Sequence, residues 1–153
     1  MELVSSFVKQ NINCGENTIQ LLTNIIFLMC EKRSENYELI IEHVELFIFR
    51  CVKYKIIYSK ELLYLTMIYL YRIDNHNFLT QCSTYILFIT CFIMAHKNLE
   101  DVPYDNKSFS LLANLTLKNI NEVEFEFLKV FDFDVNIGEK EYTLMSNLAS
   151  KII

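Results

Sequence analysis

Only two glycines, Gly15 and Gly138, and one proline, Pro103, occur in the 153 residues. An all-β sandwich or barrel turns about once every 8–12 residues and draws on those residue types to do so. This chain cannot supply them. Collagen-like, linker-like and low-complexity arrangements fail for the same reason. What remains is a set of long helices with few tight turns, an all-α fold. The length suits one domain, with enough chain to build a core without disulfides or metal. Hydrophobic residues make up 52% and charged residues 22%, which places the chain among globular proteins. Ile, Phe, Tyr and Thr are common and favour strands by propensity. Helical spacing and the lack of turns outweigh that bias.

The spacing of apolar residues predicts the elements. Residues 1–17 read as a loose polar arm. Thr18 is a candidate cap for a helix over 19–32, with Ile19, Leu22, Ile26 and Met29 on one stripe. Glu31 to Asn36 reads as a charged connection. A second helix is expected over 37–54, carrying Ile40, Val44, Phe47, Ile48 and Cys51. Ser59 can cap a third over 60–73, and the polar string Asp74-Asn75-His76-Asn77 ends it. Thr80 can cap a fourth over 81–97. Glu100 to Tyr104 is a loop, and a short helix is expected over 107–115. Asn119, with Glu122 three residues on, resembles a capping box opening a helix over 120–131. A last helix is expected within 139–150. No repeat and no dividing linker is visible.

Tyr85 to Ala95 is the most apolar run, at eleven residues. A helix of that length covers roughly 17 Å, against roughly 30 Å of membrane hydrocarbon. It reads as a helix buried on all sides of a core. The formal net charge of −5 disfavours nucleic acid, and no polybasic membrane patch is present. The five cysteines, Cys14, Cys30, Cys51, Cys82 and Cys91, contain no C-x-x-C pair and are expected as buried thiols. The start, Met1-Glu2-Leu3, lacks the pattern of a signal peptide. An intracellular location, nuclear or cytoplasmic, is therefore expected, and the sequons at Asn106 and Asn114 read as chance.

Catalytic signatures are missing. There is no Gly-rich phosphate loop, no G-x-S-x-G, no H-E-x-x-H and no EF-hand loop. His43, His76 and His96 fall on different elements. Cys82 and Cys91 are expected on one helix but about 900° of rotation apart, so they cannot share a metal. Glu122, Glu124 and Glu126 face different ways, which disfavours an acid–base pair. No enzyme activity, cofactor, metal or small-molecule substrate is expected. Two charges stand out, Lys97 closing the apolar helix and Glu124 among Val123, Phe125, Phe127 and Leu128. Taken alone, they read as a helix end-cap and a solvated surface residue.

Four stretches, taken in order, resemble a known family. Phe47-Ile48-Phe49-Arg50-Cys51-Val52-Lys53-Tyr54 is similar to F-L-x-R-I-x-K-Y. Ile68-Tyr69-Leu70-Tyr71-Arg72-Ile73 is similar to I-Y-I-D-R-L. Ala95-His96-Lys97-Asn98-Leu99-Glu100-Asp101 is similar to A-x-K-F-L-D-D. Ile120-Asn121-Glu122-Val123-Glu124, then Phe127-Leu128-Lys129 and Phe131-Asp132-Phe133, are similar to L-N-x-L-E-x-x-F-L-K-x-L-D-F. Together they resemble the cyclin box, and within it the small single-box cyclins of the P-type.

The resemblance implies a five-helix cyclin box over 37–135. An N-terminal arm and helix would occupy 1–36, and a helical tail 136–153. It implies a regulatory subunit that binds a cyclin-dependent protein kinase and holds its C-helix inward. The family's lysine and glutamate fall on Lys97 and Glu124, which would bridge to each other and to kinase backbone groups. Phe125, Leu128 and Phe133 would supply apolar contacts. The family's aspartate falls on Tyr71 and its aromatic on Asn98, so one structural salt bridge is not expected here and one kinase contact is expected to be weaker. The alternative is a cyclin-fold adaptor or scaffold that binds another protein without activating a kinase.

Overall fold

The structure, a computed structural model, describes residues 15–56, 60–74 and 82–151. Seven helices and no strand are found among them. They are α1 (Gly15–Lys32), α2 (Tyr37–Lys53), α3 (Lys60–Ile73), α4 (Thr84–Leu99), α5 (Asn106–Ala113), α6 (Leu117–Val130) and α7 (Glu139–Lys151).

The eleven-residue apolar run lies in α4. From Leu87 to His96 every residue is buried. α4 is enclosed because α1, α2, α3, α5 and α6 all pack against it. Aromatic side chains fill the joins: Phe47 of α2 meets Phe92 edge-on at 4.9 Å, and Phe92 meets Phe109 of α5 at 6.1 Å. Each buried side chain of that size contributes about 2 kcal/mol. α1 lies on the bundle through Leu22, Ile26, Met29 and Cys30, and also packs on α7. Where α1, α3 and α7 meet, Tyr64 stacks edge-on with Tyr142.

Helix starts depart from the sequence reading at three places. α1 begins before Thr18, which is buried inside it and within 3.5 Å of the Tyr64 hydroxyl. α4 begins at Thr84, and its cap is Ser83, whose Oγ accepts from Ile86 N at 3.2 Å. Cys82 therefore lies outside the helix that holds Cys91, and it is half-buried. Cys30, Cys51 and Cys91 are buried free thiols. α6 begins at Leu117 with Thr116 as its cap, accepting from Asn119 N at 3.1 Å, so Asn119 is the third helical residue rather than the cap. The expected caps Ser59 and Thr80, with Cys14, His76 and most of the N-terminal arm, lie outside the described residues.

The Glu31–Asn36 connection does more than join α1 to α2. The Glu35 carboxylate accepts Thr84 N (3.1 and 3.2 Å) and the Thr84 hydroxyl, and Arg33 Nη1 donates to Cys82 O at 2.7 Å. An anion is thus seated at the positive end of the buried helix.

Scarcity of glycine shows at the helix ends. Ser34, Lys55, Asn114 and Asp132 adopt left-handed backbone, with φ of 56°, 61°, 56° and 51°. At each, the following N–H reaches back five residues: Glu35 to Cys30, Ile56 to Cys51, Leu115 to Ser110 and Phe133 to Leu128. This is the Schellman closure that glycine usually serves. Both glycines stand elsewhere, Gly15 opening α1 and Gly138 preceding α7.

Candidate functional site

The C-terminal turn of α4 and the middle of α6 meet side by side. Lys97 projects from that last turn, where a cation complements the helix dipole. Its Nζ lies 2.8 Å from Glu124 Oε2. The Glu124 side chain is only 16% exposed, so it is not a freely solvated residue. Its Oε1 accepts from Asn106 Nδ2 at 3.2 Å, and the same amide donates to Asn121 Oδ1 at 2.8 Å. The pair is therefore held from α4, α5 and α6 at once. Asn106 Oδ1 is buried without a hydrogen-bond partner.

Lys97 and Glu124 border a groove of about 340 Å³ with Met94, Asn98, Leu128 and Val135. Leu128 is half-buried in its wall. Phe125 and Phe133 are not part of that lining. Both are surface aromatics, 52% and 63% exposed. Phe125 carries Lys129 Nζ 4.6 Å above its ring. Phe133 is fixed by its backbone, since it and Asp132 are both left-handed (φ 58° and 51°) and its N–H closes α6 on Leu128 O at 2.7 Å. The five expected residues thus occupy one end of α4, the α6 helix and its closing turn, three of them lining a shared groove.

One residue here, Asn106, escaped the sequence reading as part of the site. Asn106 was conspicuous only as a sequon, and nothing in its neighbours signals Glu124. Asn98 is exposed, and its Nδ2 donates to the Tyr69 hydroxyl at 3.0 Å and to Val135 O at 3.4 Å. Just before Lys97, His96 is buried against Tyr104 and Phe109, and its Nε2 accepts Tyr104 N–H at 3.1 Å. Burial holds its pKa below the ordinary value, with Lys97 adding to the effect and Glu100 opposing it. Among the described residues no group of three or more His, Cys, Asp or Glu is placed to hold a metal ion. No helix among them is long and apolar enough to cross a membrane.

The family model described as Cyclin matches residues 17–135, more than half of the chain. The chain belongs to the cyclin family. Over 58 residues it is 31% identical to Cyclin-P1-1 of Oryza sativa subsp. japonica, covering 38% of this chain and 22% of that protein. Over 52 residues it is 33% identical to Cyclin-U1-1 of Arabidopsis thaliana, covering 34% of this chain and 25% of that protein. The matched stretch spans a quarter or less of each relative's length. No solved structure matches the chain significantly.

Membership frames the two departures. Tyr71, at the family's aspartate position, points into solvent at 71% exposure. In this cyclin Arg72, the next residue, turns to α7 instead. Its Nε donates to Glu141 Oε2 at 2.9 Å and its Nη2 to Glu141 Oε1 and to Asn136 O. The guanidinium also lies 5.7 Å from the Tyr69 ring and 5.6 Å from Phe131. Asn98, at the family's aromatic position, is exposed, with its amide bonded to the Tyr69 hydroxyl.

Proposed function

We propose that this cyclin-family chain is a non-catalytic regulatory subunit that binds a cyclin-dependent protein kinase and positions its C-helix. Lys97, Glu124, Phe125, Leu128 and Phe133 would form the contact. The observation that carries this reading is the Lys97–Glu124 pair, clamped between α4 and α6 with Asn106 behind it. A lysine brings three donors and a carboxylate brings acceptors. Held together at a surface groove, they offer both polarities to the backbone of a partner helix, and such bonds strengthen when water leaves. Phe125 and Phe133 would add exposed aromatics, the residue type that anchors interfaces.

The test begins with the kinase that co-purifies with the tagged protein from its own cells. Lys97→Glu and Glu124→Lys should each weaken that complex by about 2–5 kcal/mol. The double charge swap separates contact from scaffold. It can restore the internal bridge, so thermal stability should return while kinase binding stays weak. Wild-type affinity in both single variants would refute the assignment.

A second reading, a cyclin-fold adaptor with no kinase, draws on Asn98. It stands where the family has an aromatic, and its amide is engaged by the Tyr69 hydroxyl, which weakens a contact that the resemblance implies at that position. Recovery of stoichiometric partners without a kinase, from a folded monodisperse sample, would favour it.

A further inference from the structure

Both partners of the Glu124 carboxylate lead back to His96. Lys97, whose Nζ lies 2.8 Å from Oε2, is the next residue along α4. Asn106, whose Nδ2 lies 3.2 Å from Oε1, opens α5 two residues after Tyr104. The Tyr104 N–H in turn donates to His96 Nε2 at 3.1 Å. His96 is 3% exposed, covered by the rings of Tyr104 at 5.7 Å and of Phe109 in α5 at 5.2 Å. A chain of contacts thus runs from the imidazole, through the loop that joins α4 to α5, to the carboxylate of the candidate interface.

The surroundings of both ring nitrogens suit the neutral imidazole. Nε2 accepts a hydrogen bond, so the one proton of the neutral ring sits on Nδ1. Nδ1 is itself buried, with no hydrogen-bond partner among the described residues. A second proton would set an Nε2–H donor against the Tyr104 N–H and leave Nδ1–H without an acceptor. The charges that act on the ring come from its own end of α4: Glu100 favours the charged form and Lys97 opposes it. On the loop side stand the Tyr104 phenol and Asp105, whose carboxylate accepts Ser108 N and Oγ at 2.8 Å each. Burial outweighs Glu100 and holds the pKa below 6.5. Of the two sides of the His96–Tyr104 contact, the loop yields more easily: residues 101–105 are all exposed, whereas His96 is packed inside the bundle.

From this arrangement we infer that His96 is a proton-sensitive positioning residue for the Lys97–Glu124 pair: a proton taken up by its ring displaces Tyr104, draws Asn106 off Glu124 and weakens partner binding at this face. Glu124 Oε1 then turns to water, and the carboxylate loses the preset orientation in which it meets a partner's N–H groups. Binding is full in neutral solution and falls as pH drops through the folded pKa of His96. The loss of binding rests on the kinase reading above, and the release of Asn106 does not.

The test uses the full-length chain, first free and then with the co-purified kinase. In the free protein the side-chain amide resonance of Asn106 should shift with the same midpoint as the His96 ring, below 6.5. It should stay still in His96→Gln, whose amide oxygen can take the Tyr104 N–H and does not titrate. Between about pH 7.5 and 5.5, kinase affinity of the wild type should fall about fivefold or more relative to His96→Gln, a comparison that cancels titration of the kinase itself. Asn106→Ala keeps the titrating ring but cuts the relay, so it should bind weakly at neutral pH and follow the pH profile of His96→Gln. An Asn106 resonance that ignores the His96 titration, or that moves alike in His96→Gln, would overturn the relay. Parallel pH profiles of wild type and His96→Gln would overturn its effect on binding. Wild-type affinity in Lys97→Glu at neutral pH would instead sink the kinase reading, with the free-protein resonance still deciding the relay.

Discussion

Arg72 grips both carboxylate oxygens of Glu141, joining the end of α3 to the start of α7. The same guanidinium reaches Asn136 O and lies over Tyr69 and Phe131. A lone surface pair contributes little, but a two-pronged, ring-stacked one contributes more. Arg72→Met should therefore lower unfolding stability by about 1–2 kcal/mol in a urea titration. The hydrogen bonds from Arg72 hold the Glu141 carboxyl below its ordinary 4.5. A depressed carboxyl pKa contributes stability above the unfolded value, and that contribution fades as pH falls through the folded value. The gap between wild type and Arg72→Met should then be full at neutral pH and should shrink in acid below 4.5.

Glu35→Ala should loosen the first turn of α4. The carboxylate accepts Thr84 N–H and faces the helix dipole, so its removal should cost about 1–2 kcal/mol. Hydrogen exchange gives the local readout. Amides of Thr84 to Leu87 should exchange faster in the variant, while those of α6 should change only with global stability.

Ser34→Gly and Asp132→Gly should each raise the unfolding free energy by about 1 kcal/mol. Both residues hold left-handed backbone that a Cβ disfavours. Thermal melts check this directly. Unchanged or lower stability in both would mean that the side chains repay the strain.

His96 supplies a pH dependence of its own. Its Nε2 accepts Tyr104 N–H, so that nitrogen carries no proton in the native state. Burial, with Lys97, lowers its pKa beneath 6.5, while Glu100 pulls the other way. Between the folded value and 6.5 the unfolded chain binds the extra proton and the folded one does not. Stability is complete above 6.5 and falls as pH drops towards the folded value. His96→Gln should flatten urea midpoints across that window, and a wild-type midpoint that is already flat there would contradict the assignment.

How much of this could be read beforehand varied with the kind of interaction. α3 starts and ends where its leucine-rich spacing puts it, and burial of α4 follows from a run with no polar face. Helix starts were harder, because the chain offers several caps within one turn. Thr116 and Asn119 both suit α6, and Thr80 and Ser83 both suit α4. Only the surrounding packing chooses between them. Lys97 and Glu124 stand out as charges beside apolar residues, but only the family resemblance gives them a role, their pattern alone favouring an ordinary surface reading. The Glu35–Thr84 clamp, Asn106 behind Glu124 and the Arg72–Glu141 grip join residues distant in sequence. Local pattern carries no trace of them.

Enclosure of α4 also sets a schedule for the growing chain. Residues leave the ribosome in order, and the helix from Thr84 to Leu99 emerges before its covers α5 and α6 are made. For about thirty residues of translation, the stickiest stretch of the protein has, of the five helices that enclose it, α1, α2 and α3 to lie against. Nascent chains halted in that interval are where a chaperone would be needed most.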